Sequence, residues 1–128
     1  MHWVNLIAIL ALLQFIYFGI LVGKARGKYK IDAPAVSGHP EFERYYRVQM
    51  NTLEMLVFFL PTLYLFAEYV SPLIAAGAGV IYLIGRFLYQ RSYVKDPKTR
   101  SLGFALTILP SLAMALVTLI YIVMGLIV

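Results

Sequence analysis

Every lysine and arginine in this chain, eleven in all, falls within one of two windows, Lys24–Arg47 and Arg86–Arg100. The remaining sequence is largely apolar and rich in Leu, Ile, Val, Phe and Tyr. A chain that folds in water spreads its charges over the surface. One that threads a bilayer confines its cations to the loops on one side, and that description fits. Hydrophobic residues fill 62% of the 128 positions and charged ones 13%, against an apolar share of about 45–50% in soluble domains. The length suits one four-helix unit without a separate soluble domain, so residues 1–128 are read as a single all-α integral membrane domain, a four-transmembrane-helix bundle.

Four segments reach the length of about 20 residues that a bilayer requires. They run roughly over Val4–Gly23, Phe42–Tyr69, Leu73–Tyr93 and Pro97–Ile127. The first 23 residues carry no charge, whereas a cleavable signal peptide begins with a basic region, so this segment is read as a retained helix. The first and third loops hold the basic windows and are expected to face the cytoplasm, with both termini outside. The same bias accounts for the net charge of +5 without nucleic acid as a partner. With no cysteine in the chain, disulfides and a protein thiol nucleophile are excluded, so any thiol chemistry must come with a small molecule. His2 and His39 lack a metal-ligand set around them, and no metal is expected.

Two helix starts are legible. Pro40 with Glu41 and Glu43 places proline and carboxylates in a first turn, where the helix dipole favours them. Asp96-Pro97 reads as an N-cap followed by the first residue of helix four. Arg100 then lies about one turn inside that helix, against the dipole.

The spans contain a polar pattern. In helix two, Arg44, Arg47, Asn51 and Glu54 are spaced 3, 4 and 3 apart, which puts them in one sector of about 80°. Arg86, Tyr89 and Tyr93 form a similar stripe on helix three. An ionisable residue near the centre of a span costs at least about 2.5–3.5 kcal/mol, so such residues face protein or a wet cavity. Two readings fit. One is an internal salt-bridge network in which Arg47, Glu54 and Arg86 neutralise one another. The other is an anion site, since Arg44, Arg47, Arg86 and Arg100 outnumber Glu54, and guanidinium groups fork onto carboxylate or phosphate.

The run Glu41-Phe42-Glu43-Arg44-Tyr45-Tyr46-Arg47-Val48-Gln49-Met50-Asn51-Thr52-Leu53-Glu54 resembles the helix-two signature of the MAPEG family, the membrane-associated proteins in eicosanoid and glutathione metabolism. The likeness continues through Gly85-Arg86-Phe87-Leu88-Tyr89-Gln90-Arg91-Ser92-Tyr93 to Arg100. The interval of seven from Tyr93 to Arg100 is similar to the microsomal glutathione transferase and leukotriene C synthase branch. The resemblance implies a homotrimer that binds glutathione between subunits. It implies Arg47, Asn51, Glu54, Tyr89 and Tyr93 as glutathione ligands, with Arg26 reaching in from a neighbouring subunit. Arg86, on the stripe of Tyr89 and Tyr93, is read as a further glutathione-binding residue. Gln49 aligns with the ligand region, although its helical phase points off the stripe. Arg100 aligns with the arginine that activates the thiol, and Ser101 is a second candidate thiol donor. Lowering a thiol pKa from about 8.5 by two units takes about 2.7 kcal/mol of differential interaction, within reach of one guanidinium at a helix N-terminus.

Met55 and Leu112 depart from the tyrosine and tryptophan of the leukotriene-forming branch, and Trp3 lies too far away to substitute. The implied activity is therefore a glutathione S-transferase of detoxification type, with peroxidase activity alongside. Its second substrate is an apolar electrophile or lipid hydroperoxide arriving from membrane lipid along a groove between helices one and four. Short loops favour a bacterial inner membrane with the site on the cytoplasmic side. The rivals are a non-catalytic glutathione- or lipid-binding scaffold of the same family and a small multidrug transporter. A transporter of that kind wants an unpaired carboxylate in helix one, which here is free of charge.

Overall fold

A computed structural model describes the whole chain, Met1–Val128. It has four long helices: α1 (His2–Tyr29), α2 (Pro40–Tyr69), α3 (Pro72–Lys95) and α4 (Ser101–Ile127), with a single 3₁₀ turn at Pro97–Thr99. All four are long and apolar enough to cross a membrane.

The ends of these helices follow from local chemistry. α1 continues past the expected stop at Gly23, and its last turn contains Arg26 and Lys28, where cations complement the dipole. It closes at Lys30, which adopts the left-handed conformation while the Ile31 N–H returns to the Arg26 carbonyl at 3.0 Å. α2 starts at Pro40 behind His39, whose Nδ1 accepts from the Glu41 N–H. Ser71 caps α3 by accepting from Ile74 N–H. The start of helix four differs from expectation. Asp96 does cap, but its carboxylate accepts from Lys98 N–H and closes the 3₁₀ turn. α4 therefore begins at Ser101, and Arg100 sits at its N-cap instead of one turn inside.

α2 and α3 form the centre, and α1 and α4 each pack on this pair rather than on each other. The buried positions of α1 (Val4, Ile7, Ala8, Ala11, Gln14, Phe18, Val22, Ala25) follow one helical face. Val4, Ile7, Ala8 and Ala11 meet Leu56, Phe59, Leu63 and Phe66 of α2 and Tyr82 of α3 in the main apolar cluster, while Val22 and Ala25 pack with Phe42, and Phe18 with Val48 and Tyr89. Phe59 and Tyr82 stack with centroids 3.8 Å apart.

α4 joins α3 through small residues. Its buried face is Gly103, Thr107, Ser111, Met114 and Thr118. The Thr and Ser hydroxyls on that face donate to carbonyls one turn back, at 2.7–3.1 Å, so none of these three is stranded against α3. A Cβ at Gly85 would lie 2.8 Å from the Leu106 backbone, and one at Gly103 would collide with the Tyr89 backbone. These two glycines let the helix backbones touch just below Tyr93 and Arg100, which brings the polar ends of α3 and α4 together.

Candidate functional site

The α2–α3 contact is where the two polar stripes meet. Arg86 is fully buried, and its Nη1 donates to Asn51 Oδ1 at 2.9 Å and toward Thr52 Oγ1 at 3.5 Å. Thr52 has its own proton committed to the Val48 carbonyl at 2.8 Å, which leaves its oxygen free to accept. The Arg86 guanidinium lies 4.3 Å from the centroid of the Tyr89 ring. Tyr89 in turn stacks on Tyr93 at 5.4 Å. The row Asn51–Arg86–Tyr89–Tyr93 therefore climbs from the buried interior to the basic end of the bundle.

Arg47 stands at the top of the row. It shares a recess of about 450 Å³ with Glu43, Arg44, Tyr46 and Tyr93, closed by Val36 of the α1–α2 loop and Pro40 at the start of α2. Its Nη1 pairs with Glu54 Oε1 at 3.0 Å, both side chains being about half exposed. This is the only ion pair in the chain. The three-way neutralisation of Arg47, Glu54 and Arg86 does not form, because Arg86 points inward to Asn51 while Glu54 faces outward. Arg86 thus holds a positive charge inside the bundle with no carboxylate against it, and its Nε and Nη2 have no partner.

The other expected residues lie apart. Arg44 donates to the Val94 and Lys95 carbonyls at 3.2 and 3.4 Å; it closes the C-terminal turn of α3, a role that helical spacing alone does not reveal. Arg26 donates to the Ala35 carbonyl at 2.7 Å and lies over the Phe42 ring, so it fastens the α1–α2 loop. Gln49 faces α1, where a Cβ on Gly19 would come within 2.6 Å of its Nε2. Arg100 and Ser101 are exposed. Thr99 holds them at the end of α3 by donating to the Ser92 and Asp96 carbonyls. Thr52 was not among the expected residues. Its position beside Asn51, on the inward side of the stripe, is the only sequence signal for it.

An apolar groove of about 890 Å³ runs along α3 and α4, lined by Ile81, Leu102, Leu106, Leu109 and Pro110 and reaching Phe66 of α2. The expected groove between helices one and four does not form within one chain, because α1 and α4 are held on the central pair instead of on each other.

The model of the MAPEG family matches residues 4–120. An uncharacterized protein of Synechocystis is 48% identical over 110 residues, 86% of this chain and 80% of the relative. Human microsomal glutathione S-transferase 2 is 42% identical over 102 residues, covering 80% of this chain and 69% of its own length. Leukotriene C4 synthase of Cavia porcellus is 35% identical over 94 residues, 73% of this chain and 63% of the synthase. The match runs from the first helix into the fourth and takes in both polar stripes, so this integral membrane protein belongs to the MAPEG family.

Proposed function

We propose that the chain is a single-domain membrane glutathione S-transferase that works as a homotrimer and conjugates glutathione to an apolar electrophile. The observation that carries this reading is the buried Arg86, a cation without a carboxylate, at the foot of a row that ends in a recess beside Arg47 and Tyr93. Such a row suits a ligand that brings anionic groups with it. Glutathione offers two carboxylates, an ammonium and a thiol. Arg47 and Asn51 are assigned to its acceptors and Glu54 to its ammonium, with Tyr89 and Tyr93 flanking the ligand. Arg26 and Gln49 make no hydrogen bond to this row in their own chain, which is consistent with service to a neighbouring copy.

Arg100 is assigned to the thiol. Its charge favours the thiolate over the thiol, and the proton leaves to solvent. The sulfur lone pair then forms the S–C bond, and the electron pair of the bond that breaks departs with the leaving group or settles on the acceptor. The α3–α4 groove reaches Leu102, two residues beyond Arg100, and would deliver an apolar partner from the bilayer. A lipid hydroperoxide arriving the same way would be reduced at its O–O bond by two glutathione molecules that become the disulfide. The site is assigned to the cytoplasmic face by the positive-inside rule, and the short loops favour a bacterial inner membrane.

The test is a glutathione titration of the detergent-purified protein at neutral pH, followed by ultraviolet absorbance of the thiolate. A saturable signal is expected. Calorimetric binding without thiolate or turnover would establish the non-catalytic scaffold instead, and no binding at all would refute the reading.

A further inference from the structure

A second feature suited to lipid lies along α3 where it meets α1 and the start of α2, and of its residues only Arg44 also borders the recess beside Arg47. The exposed stripe of α3 runs Val80, Ile84, Phe87, Arg91 and Lys95. The first three are apolar and about half exposed, at 47%, 52% and 50%, and the stripe turns basic at Arg91. The change takes one helical turn, about 6 Å along the axis. Each half of the stripe borders its own depression. Leu10, Leu13, Tyr17 and Phe87 line an apolar groove of about 310 Å³ between α1 and α3. At the next turn, Arg44, Tyr45, Gln90, Arg91, Lys95 and Glu41 line a polar recess of about 540 Å³.

Cations are in excess in that recess, where Arg44, Arg91 and Lys95 face the single carboxylate of Glu41. Arg91 and Lys95 form no ion pair. Glu41, the one acid present, is hydrogen-bonded by the Tyr29 hydroxyl. Arg44 is fixed in place by the two carbonyls at the end of α3. Tyr45 and Gln90 add neutral donors. A free phosphate would use the recess alone, and a neutral lipid would use the groove alone. An anionic phospholipid uses both, with an acyl chain beside Phe87 and its phosphate among Arg91, Lys95 and Arg44.

We propose that this face is a binding site for one anionic phospholipid, separate from the row that runs from Asn51 to Tyr93. Basic side chains at a membrane surface attract anionic headgroups individually and add together, so the site would discriminate lipids by headgroup charge.

The full chain, delipidated in a non-ionic detergent, would be titrated with phosphatidylglycerol and with phosphatidylcholine of the same acyl chains, and retained lipid counted by native mass spectrometry. Phosphatidylglycerol is expected to bind about tenfold more tightly. The double variant Arg91→Gln/Lys95→Gln is expected to erase that preference, and Leu13→Trp, which fills the groove, to weaken both lipids. Equal affinity for the two lipids in the unaltered protein would overturn the proposal. So would complete displacement of phosphatidylglycerol by inorganic phosphate, which would mark a free-anion site. Displacement by glutathione would also overturn it, by assigning the recess to the transferase site.

Discussion

Arg86 and Arg100 are both arginines assigned to the site, yet their surroundings give them opposite consequences. Arg86 is buried with two nitrogens unpartnered. Removing an uncompensated charge from an apolar interior recovers several kcal/mol of desolvation, which exceeds the roughly 1.5–3 kcal/mol of its hydrogen bond to Asn51. Arg86→Met is therefore expected to keep or raise the unfolding midpoint of the free protein in detergent, and to shrink the rise that glutathione produces. A midpoint several degrees lower would show that Arg86 is a structural tie. Arg100 is exposed and makes no side-chain hydrogen bond, so Arg100→Ala should change stability by less than about 0.5 kcal/mol. Its effect is expected in the pH profile. Without the guanidinium the bound thiolate is less favoured and its pKa moves up by about 1–2 units. Turnover at neutral pH then falls about tenfold or more and recovers in alkali. An unchanged profile would remove Arg100 from the mechanism.

At the scale of the helices, the α3–α4 contact depends on two glycines. Gly103 has no room for a Cβ against the Tyr89 backbone and the Gly85 carbonyl, and both are main chain, which cannot swing aside. Gly103→Ala is expected to cost about 1–3 kcal/mol by overpacking. It should also lower activity, because Tyr89, Tyr93 and Arg100 are held in register by this contact. Gly23 supplies the comparison. A Cβ there meets nothing within 4 Å, so Gly23→Ala is expected to be neutral or to stabilise α1 by about 0.5–1 kcal/mol. Parallel denaturation of the two variants separates a packing requirement from a general effect of helix glycines.

For the whole molecule, most of the large apolar residues outside the core face outward, and the bilayer explains them. α4 buries 22% of its most apolar window, against 44% for α2, so it relies most on lipid or a neighbouring copy for cover. With no native cysteine, the sidedness of the bundle can be measured with single introduced thiols. Tyr69→Cys, at the α2–α3 turn, is expected to react with an impermeant reagent in intact bacterial cells. Lys98→Cys, at the basic end, should react only after permeabilisation. The opposite pattern would invert the topology and move the proposed site to the other face.

The sequence alone determined the membrane class, the number of helices and the two polar stripes. Hydrophobic length, charge segregation and helical phase are properties of the linear chain, and a bilayer enforces them whatever the packing. It also carried the family signature. The tertiary structure decided how the cations were used. Arg44 and Arg47 share one sector of α2 and Arg86 lies on the stripe of α3, yet one caps α3, one pairs with Glu54, and one is buried on Asn51. Only the packing of α2 against α3 distinguishes them, since it hands Arg44 the carbonyls of α3 and Arg86 the Asn51 amide of α2 while Arg47 keeps a partner on its own helix. The local winding of Asp96–Arg100 was also beyond the sequence pattern, since an Asp-Pro cap opens a 3₁₀ turn as readily as an α-helix. So was the pairing of Gly85 and Gly103, because a close approach exists only once two backbones have been laid side by side.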